Sequence, residues 1–203
     1  MTTVRRKRKG RETRAAILAA ATDVLLREGY GNFVFRRVAK RAGVEPGNVQ
    51  YYFPTKRDLL SAVLQPELEN YLDRLQRELD KGQTEAEKID RMVRYLMTDI
   101  LNERTLKLWL SIYGMAAHDE EMAEMVSEWY RSYIDSLAGY LQNVYPDLDR
   151  DRAYDAATCV TAQFDGLMVV LQIGKPKRQS IARIRRSIDA IVTRVIDAHS
   201  GGS

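Results

Sequence analysis

Apolar residues recur at helical spacing from Ile17 almost to the end of the chain, while sustained alternation and Asn-Gly hairpin signals are absent. An all-α fold is expected. A first helix should run from about Arg11 to Glu28, with Ile17, Ala21, Val24 and Leu25 on one face and Gly29 ending it. Two short helical pieces follow, near 36–41 and 47–53, parted by Ala42-Gly43-Val44, which is too brief for a domain linker. After Pro54, with Thr55 as N-cap, comes a long helix bearing Leu59, Leu60, Val63, Leu64, Leu68, Tyr71, Leu72, Leu75 and Leu79. Pro66 should kink or break it. Ile89, Met92, Val93, Leu96, Met97, Ile100 and Leu101 mark another amphipathic helix. Further helices are expected near 104–117, 120–144, 150–173 and 177–198, with Gly114, Pro146, Gly174 and Pro176 as punctuation. That makes about nine helices in all.

Charge is distributed unevenly. Residues 1–60 hold 14 Lys/Arg against 5 Asp/Glu, leaving 18 against 23 for the rest, so a head of charge +9 precedes a body of −5. A basic module on an acidic body suits a locally confined polyanion-binding surface, although Arg5 to Arg11 could be only a solubilising tail. The expected organisation is a basic flexible arm (1–10), a small head (11–60), a larger helical body (61–199) and a disordered tail (200–203).

Other function classes find little support. Cys159 is the single cysteine, so an internal disulfide is excluded, and no Cys/His spacing suggests zinc. No metal or cofactor is expected. As a nucleophile Cys159 would need a partner, but His118 precedes an acidic run and His199 lies near the chain end; a small buried hydrophobe is the expected role of Cys159. Catalysis is not expected. Without a signal-type apolar segment or a run of roughly 18 apolar residues, cytoplasmic localisation is the expectation.

The informative segment is Arg37 to Lys56, RVAKRAGVEPGNVQYYFPTK. Val38 and Ala39 on one short helix, and Val49 and Phe53 on the next, can share a small core around a turn at Gly43; Pro46 suits the second helix's first turn. If that helix enters a major groove, Gly47 permits close backbone approach. Asn48 and Gln50 can each pair bidentately with adenine, while Arg36, Arg37, Tyr51, Tyr52 and Lys56 suit phosphates. Spacing alone is equally compatible with any small helical bundle, and the basic surround tips the balance toward double-stranded DNA.

The stretch from about Arg11 to Leu64, with ILAAATDVLLREGYGNF, RVAKRAGV and GNVQYYFPTKRDLL in order, resembles the DNA-binding domain of the TetR family of transcriptional repressors. The resemblance implies a three-helix head with a helix-turn-helix, a fourth connecting helix, and a ligand-binding body that dimerises through its last two helices. The chain departs from the pattern at Val34 and Glu45, where Ser or Thr usually caps a helix, and at Gln50, where Tyr is common. The body stretches WLSIYGMAAHDEEMAEMVSEWYRSY and AATCVTAQFDGLMVVLQ resemble the sensing domain of BetI-type regulators, which respond to choline-like compounds.

Trp109, Tyr113 and Phe164, with Asp165, are candidates for an effector site, since aromatic faces and a carboxylate can hold a quaternary ammonium. Core filling is the commoner fate of such rings, including Trp129, Tyr130 and Tyr133. Ile184, Ile188, Ile191 and Val195 on the last helix, with Ala156, Val160 and Gly166 on the one before, are candidates for a homodimer seam, or for the monomer's own core. The implied function is a regulator that binds a palindromic operator and is released by a small molecule. A ligand-independent architectural DNA-binding protein and a helical protein-interaction module are the alternatives.

Overall fold

The computed structural model describes residues 2–174 and 178–200. Pro176 and the end of the expected tail, 201–203, lie outside the described residues. In chain order the helices are α1 (Thr2–Glu28), α2 (Phe35–Ala42), α3 (Pro46–Tyr52), α4 (Lys56–Leu79), α5 (Glu85–Ile100), α6 (Glu103–Ala116), α7 (Glu120–Val144), α8 (Arg150–Gly174) and α9 (Arg178–Ser200). A single 3₁₀ turn, Tyr30–Asn32, links α1 to α2, and no strand occurs among the described residues.

The expected arm is a correction. α1 begins at Thr2 rather than near Arg11, so residues 2–10 are helical. Arg and Lys are good helix formers, and Arg8 pairs with Glu12 one turn on, at 3.3 Å. Pro66 does not interrupt α4 either. It removes one N–H from the ladder, a loss the helix absorbs.

The chain divides into two compact units, residues 1–69 with 107–126, and residues 70–106 with 127–203. In the first, α1 packs on α2 and α2 on α3. Ile17, Ala21, Val24, Leu25, Phe33, Val38, Ala39, Val49, Phe53, Leu59 and Leu60 are buried. Gly43 ends α2 in the left-handed region (φ 67°, ψ 33°), and its N–H returns to the Ala39 carbonyl. Thr55 opens α4 with a reciprocal cap: its hydroxyl accepts from the Asp58 N–H at 3.0 Å, and the Asp58 carboxylate accepts from the Thr55 N–H at 2.9 Å.

In the second unit α5 packs against α8 and α9, and α8 against α9. Its core includes Met92, Val93 and Leu96 from α5, Ala156, Ala157 and Val160 from α8, and Ile188, Val192 and Ile196 from α9. Thr84 caps α5 by accepting from the Glu87 N–H at 3.2 Å.

Gly43→Ala should cost about 1–2 kcal/mol in chemical denaturation, because the left-handed conformation penalises a Cβ. Steric crowding is no part of that cost, since nothing lies within 4 Å of the added atom.

Candidate nucleic-acid interface

α3 has seven residues, and among them only Val49 is buried. Val49 therefore faces the core, with Phe53 at the helix end buried beside it, while Pro46, Gly47, Asn48, Gln50 and Tyr51 are exposed. Tyr51 is 81% exposed, and the half-buried Tyr52 meets its ring edge-on at 5.2 Å. Neither Val34, which begins α2, nor Glu45, which begins α3, makes a side-chain cap bond. Those helix starts lack the Ser or Thr oxygen that would accept a backbone N–H.

The cations have separate placements. Arg36 is exposed on α2. Arg37 pairs with Glu28 at 2.5 Å, and Arg41 pairs with Glu28 at 3.2 Å and with Asp23. Desolvation works upward on the Asp23 carboxyl, but hydrogen bonds and charge from Arg27 and Arg41 hold it below its usual range. Arg37 thus braces α2 against α1, which reduces its availability to a phosphate. Arg14 lies over the Phe53 ring at 5.1 Å.

Lys56 is half-buried, its ammonium 3.4 Å from the centre of the Tyr30 ring. Burial lowers its pKa, opposed by Asp119. The Tyr30 hydroxyl is buried without a well-formed hydrogen bond, and burial, with the Asp119 and Glu121 carboxylates, pushes its pKa up to about 12. Tyr30, Asp119 and the pairings of Asp23 and Glu28 with Arg41 and Arg37 carry no local motif; they follow from the packing of α1 on α2 and the contacts of α4 with α7.

The body candidates divide between the units. Trp109 and Tyr113 belong to the first, stacked at 5.9 Å and half-buried. Phe164 and Asp165 belong to the second, where Phe164 is buried and Asp165 accepts from the Tyr130 hydroxyl at 2.6 Å. The second unit also groups Tyr71 with Tyr95 at 5.2 Å and with Tyr133 at 6.0 Å. Burial raises the pKa of all three, which keeps their hydroxyls protonated. An open cleft of about 420 Å³ in this unit is lined by Lys81, Gln83, Glu87, Asp90, Arg91 and Arg94, with no aromatic wall.

Ala156, Val160 and Ile188 are buried inside the chain, the own-core alternative for these residues, because the stripes on α8 and α9 each turn partly inward. Gly166 and Ile191 are exposed, and Ile184 and Val195 are half-exposed. Cys159, expected to be buried, is exposed, since its register on α8 places it away from the inward positions Ala156 and Val160. Among the described residues no group of three or more His, Cys, Asp or Glu could hold a metal, and no helix is long and apolar enough to cross a membrane.

A short helix with a solvated polar face, carried on a basic three-helix unit behind a glycine turn, defines a helix-turn-helix DNA-binding head. Comparison with known proteins agrees: the family model for bacterial regulatory proteins of the tetR family matches residues 17–63, and that for the BetI-type transcriptional repressor C-terminal domain matches 85–197. The chain belongs to the tetR family, with a BetI-type C-terminal domain, and is a DNA-binding transcriptional regulator rather than an enzyme. It is 27% identical over 180 residues to the HTH-type transcriptional regulator BetI of Rhizobium meliloti, covering 88% of this chain and 83% of the relative. Its fold matches a tetR-family regulator of Mesorhizobium loti with a TM-score of 0.73 at 19% identity, covering 93% and 97% of the two chains. A regulator of Saccharomonospora viridis solved in complex with choline matches with a TM-score of 0.69 at 24% identity, covering 90% and 96%.

Arg37→Ala should lower stability by roughly 0.5–1 kcal/mol in urea titration, through loss of its bond to Glu28. Arg36→Ala should leave the midpoint unchanged.

Proposed function

We propose that the chain is a repressor that binds a palindromic operator as a homodimer and releases it when a small-molecule effector binds the body. The observation that carries this reading is the exposed face of α3, where a glycine, two side-chain amides and Tyr51 stand, with the half-buried Tyr52 beside them, on a helix anchored from behind by Val49. In this reading Pro46 and Gly47 let the backbone close on the groove, and Asn48 and Gln50 contact adenine edges. Tyr51, Tyr52 and Arg36 hold phosphates, with smaller shares from Arg37 and Lys56.

Dimerisation through α8 and α9 is supported by their outward residues, Gly166, Val170 and Ile191, of which Val170 is 64% exposed. Ile184 and Val195 flank this face. Two such heads would read half-sites about 34–36 Å apart. A cationic, choline-like compound is the first effector to test, because a choline complex occurs among the structural neighbours and the body matches a BetI-type domain. Each unit offers its own candidate contacts, the stacked rings of Trp109 and Tyr113 in the first and Phe164 with the Asp165 carboxylate in the second. Binding would favour the conformation with weaker operator affinity, by no more than its preference for that conformation.

The packed tyrosine cluster and the charged, ring-free cleft favour a second reading, a DNA-binding protein that answers to no effector. Selection of bound sequences from a random duplex pool at two salt concentrations tests the first step. A palindrome bound by a dimer is expected, with Gln50→Ala losing about 1–3 kcal/mol of discrimination at one position of each half-site. Absence of any enriched sequence overturns the operator reading. Choline titrated into the recovered complex should lower its affinity; an unchanged affinity removes choline as the effector.

A further inference from the structure

The first turn of α7 is tied to the start of α4 at successive positions, all within the first unit. Arg57 lies 4.0 Å from Glu121. One turn further along both helices, the Ser61 hydroxyl donates to the Met125 sulfur at 3.1 Å. Asp119, immediately before α7, caps it: its Oδ1 accepts from the Met122 N–H at 3.2 Å, and its carbonyl accepts from the Ala123 N–H at 2.9 Å. Its carboxylate is therefore held at the head of α7 rather than free to swing. Lys56, next to Arg57, rests on the Tyr30 ring, and the Asp119 charge acts on both Lys56 and the Tyr30 hydroxyl.

Lys56 is consequently a half-buried cation with an aromatic floor and an anionic neighbour. An ammonium has three donors. The ring occupies one side of Lys56, and the Arg57–Glu121 and Ser61–Met125 contacts hold the head of α7, with its Asp119 charge, against the same start of α4.

We propose that Asp119 competes with DNA phosphate for Lys56, so that the position of the first turn of α7 sets how much of the head's charge is offered to DNA. Tyr30 and Asp119 are positioning residues in this scheme, since neither needs to touch DNA. Asp119 directly precedes Glu120, the first residue of α7, so a displacement of that first turn carries the Asp119 carboxylate with it. The inference rests on the reading that Lys56 helps hold DNA.

The test is the affinity of the full chain for a mixed-sequence duplex of about 40 base pairs across a salt series, since phosphate contacts are sequence-independent. Asp119→Asn keeps a good helix cap and removes the charge. It should tighten binding about two- to fivefold, as suits removal of one opposing charge near a phosphate-holding cation. It should also steepen the plot of log affinity against log salt by up to about one. In a Lys56→Gln background Asp119→Asn should change neither quantity, with equal thermal midpoints showing both variants folded. An unchanged affinity for Asp119→Asn overturns the competition, as does an equal gain in the Lys56→Gln background, which would mark a general charge effect. If the parent chain shows no salt-dependent duplex binding, the DNA-binding reading falls with it.

Discussion

A seven-residue helix cannot persist in water on its own hydrogen bonds, because nucleation costs more than so few residues return. α3 exists because Val49 and Phe53 are buried against the rest of the three-helix head. Everything outward on the helix is thereby released from packing duty. Gly43 sets the angle at which α3 leaves α2, and the Thr55–Asp58 cap fixes where α4 begins. Loss of the small core would cost both the recognition face and the geometry that presents it.

The head's positive charge divides into two uses. Arg37 and Arg41 are engaged by Glu28 and Asp23, and so act as braces between α1 and α2. Arg36 faces solvent, while Lys56 is shared between the Tyr30 ring and the field of Asp119. Net charge alone would count these side chains equally toward a polyanion. Their surroundings rank them, because a cation already paired must give up its partner before a phosphate gains it.

Much of the fold was legible because helical periodicity is a local signal. The expected helix near 120–144 coincides with α7, and those near 150–173 and 177–198 differ from α8 and α9 by no more than two residues at either end. Gly43 and Thr55 were readable for the same reason, since a left-handed turn and a helix cap each need particular residues. The start of α1 was misjudged because the basic segment lacks an apolar face and periodicity is silent there. Which face of α8 and α9 looks outward was only partly readable: a broad apolar stripe does not say where the chain's own core ends, and Ala156, Val160 and Ile188 went inward. The Tyr30–Lys56–Asp119 grouping was invisible, since it joins residues up to 89 positions apart.

In the function proposed above, DNA seats on α3 and its approach. Amide hydrogen exchange of the full chain, followed by mass spectrometry with and without saturating duplex, locates that surface. Slowed exchange is expected to concentrate in residues 35–53, at α2, the Gly43 turn and α3, with the peptides of α5, α8 and α9 unchanged. Protection confined to residues 127–200, with 35–53 exchanging as in the free protein, would contradict it.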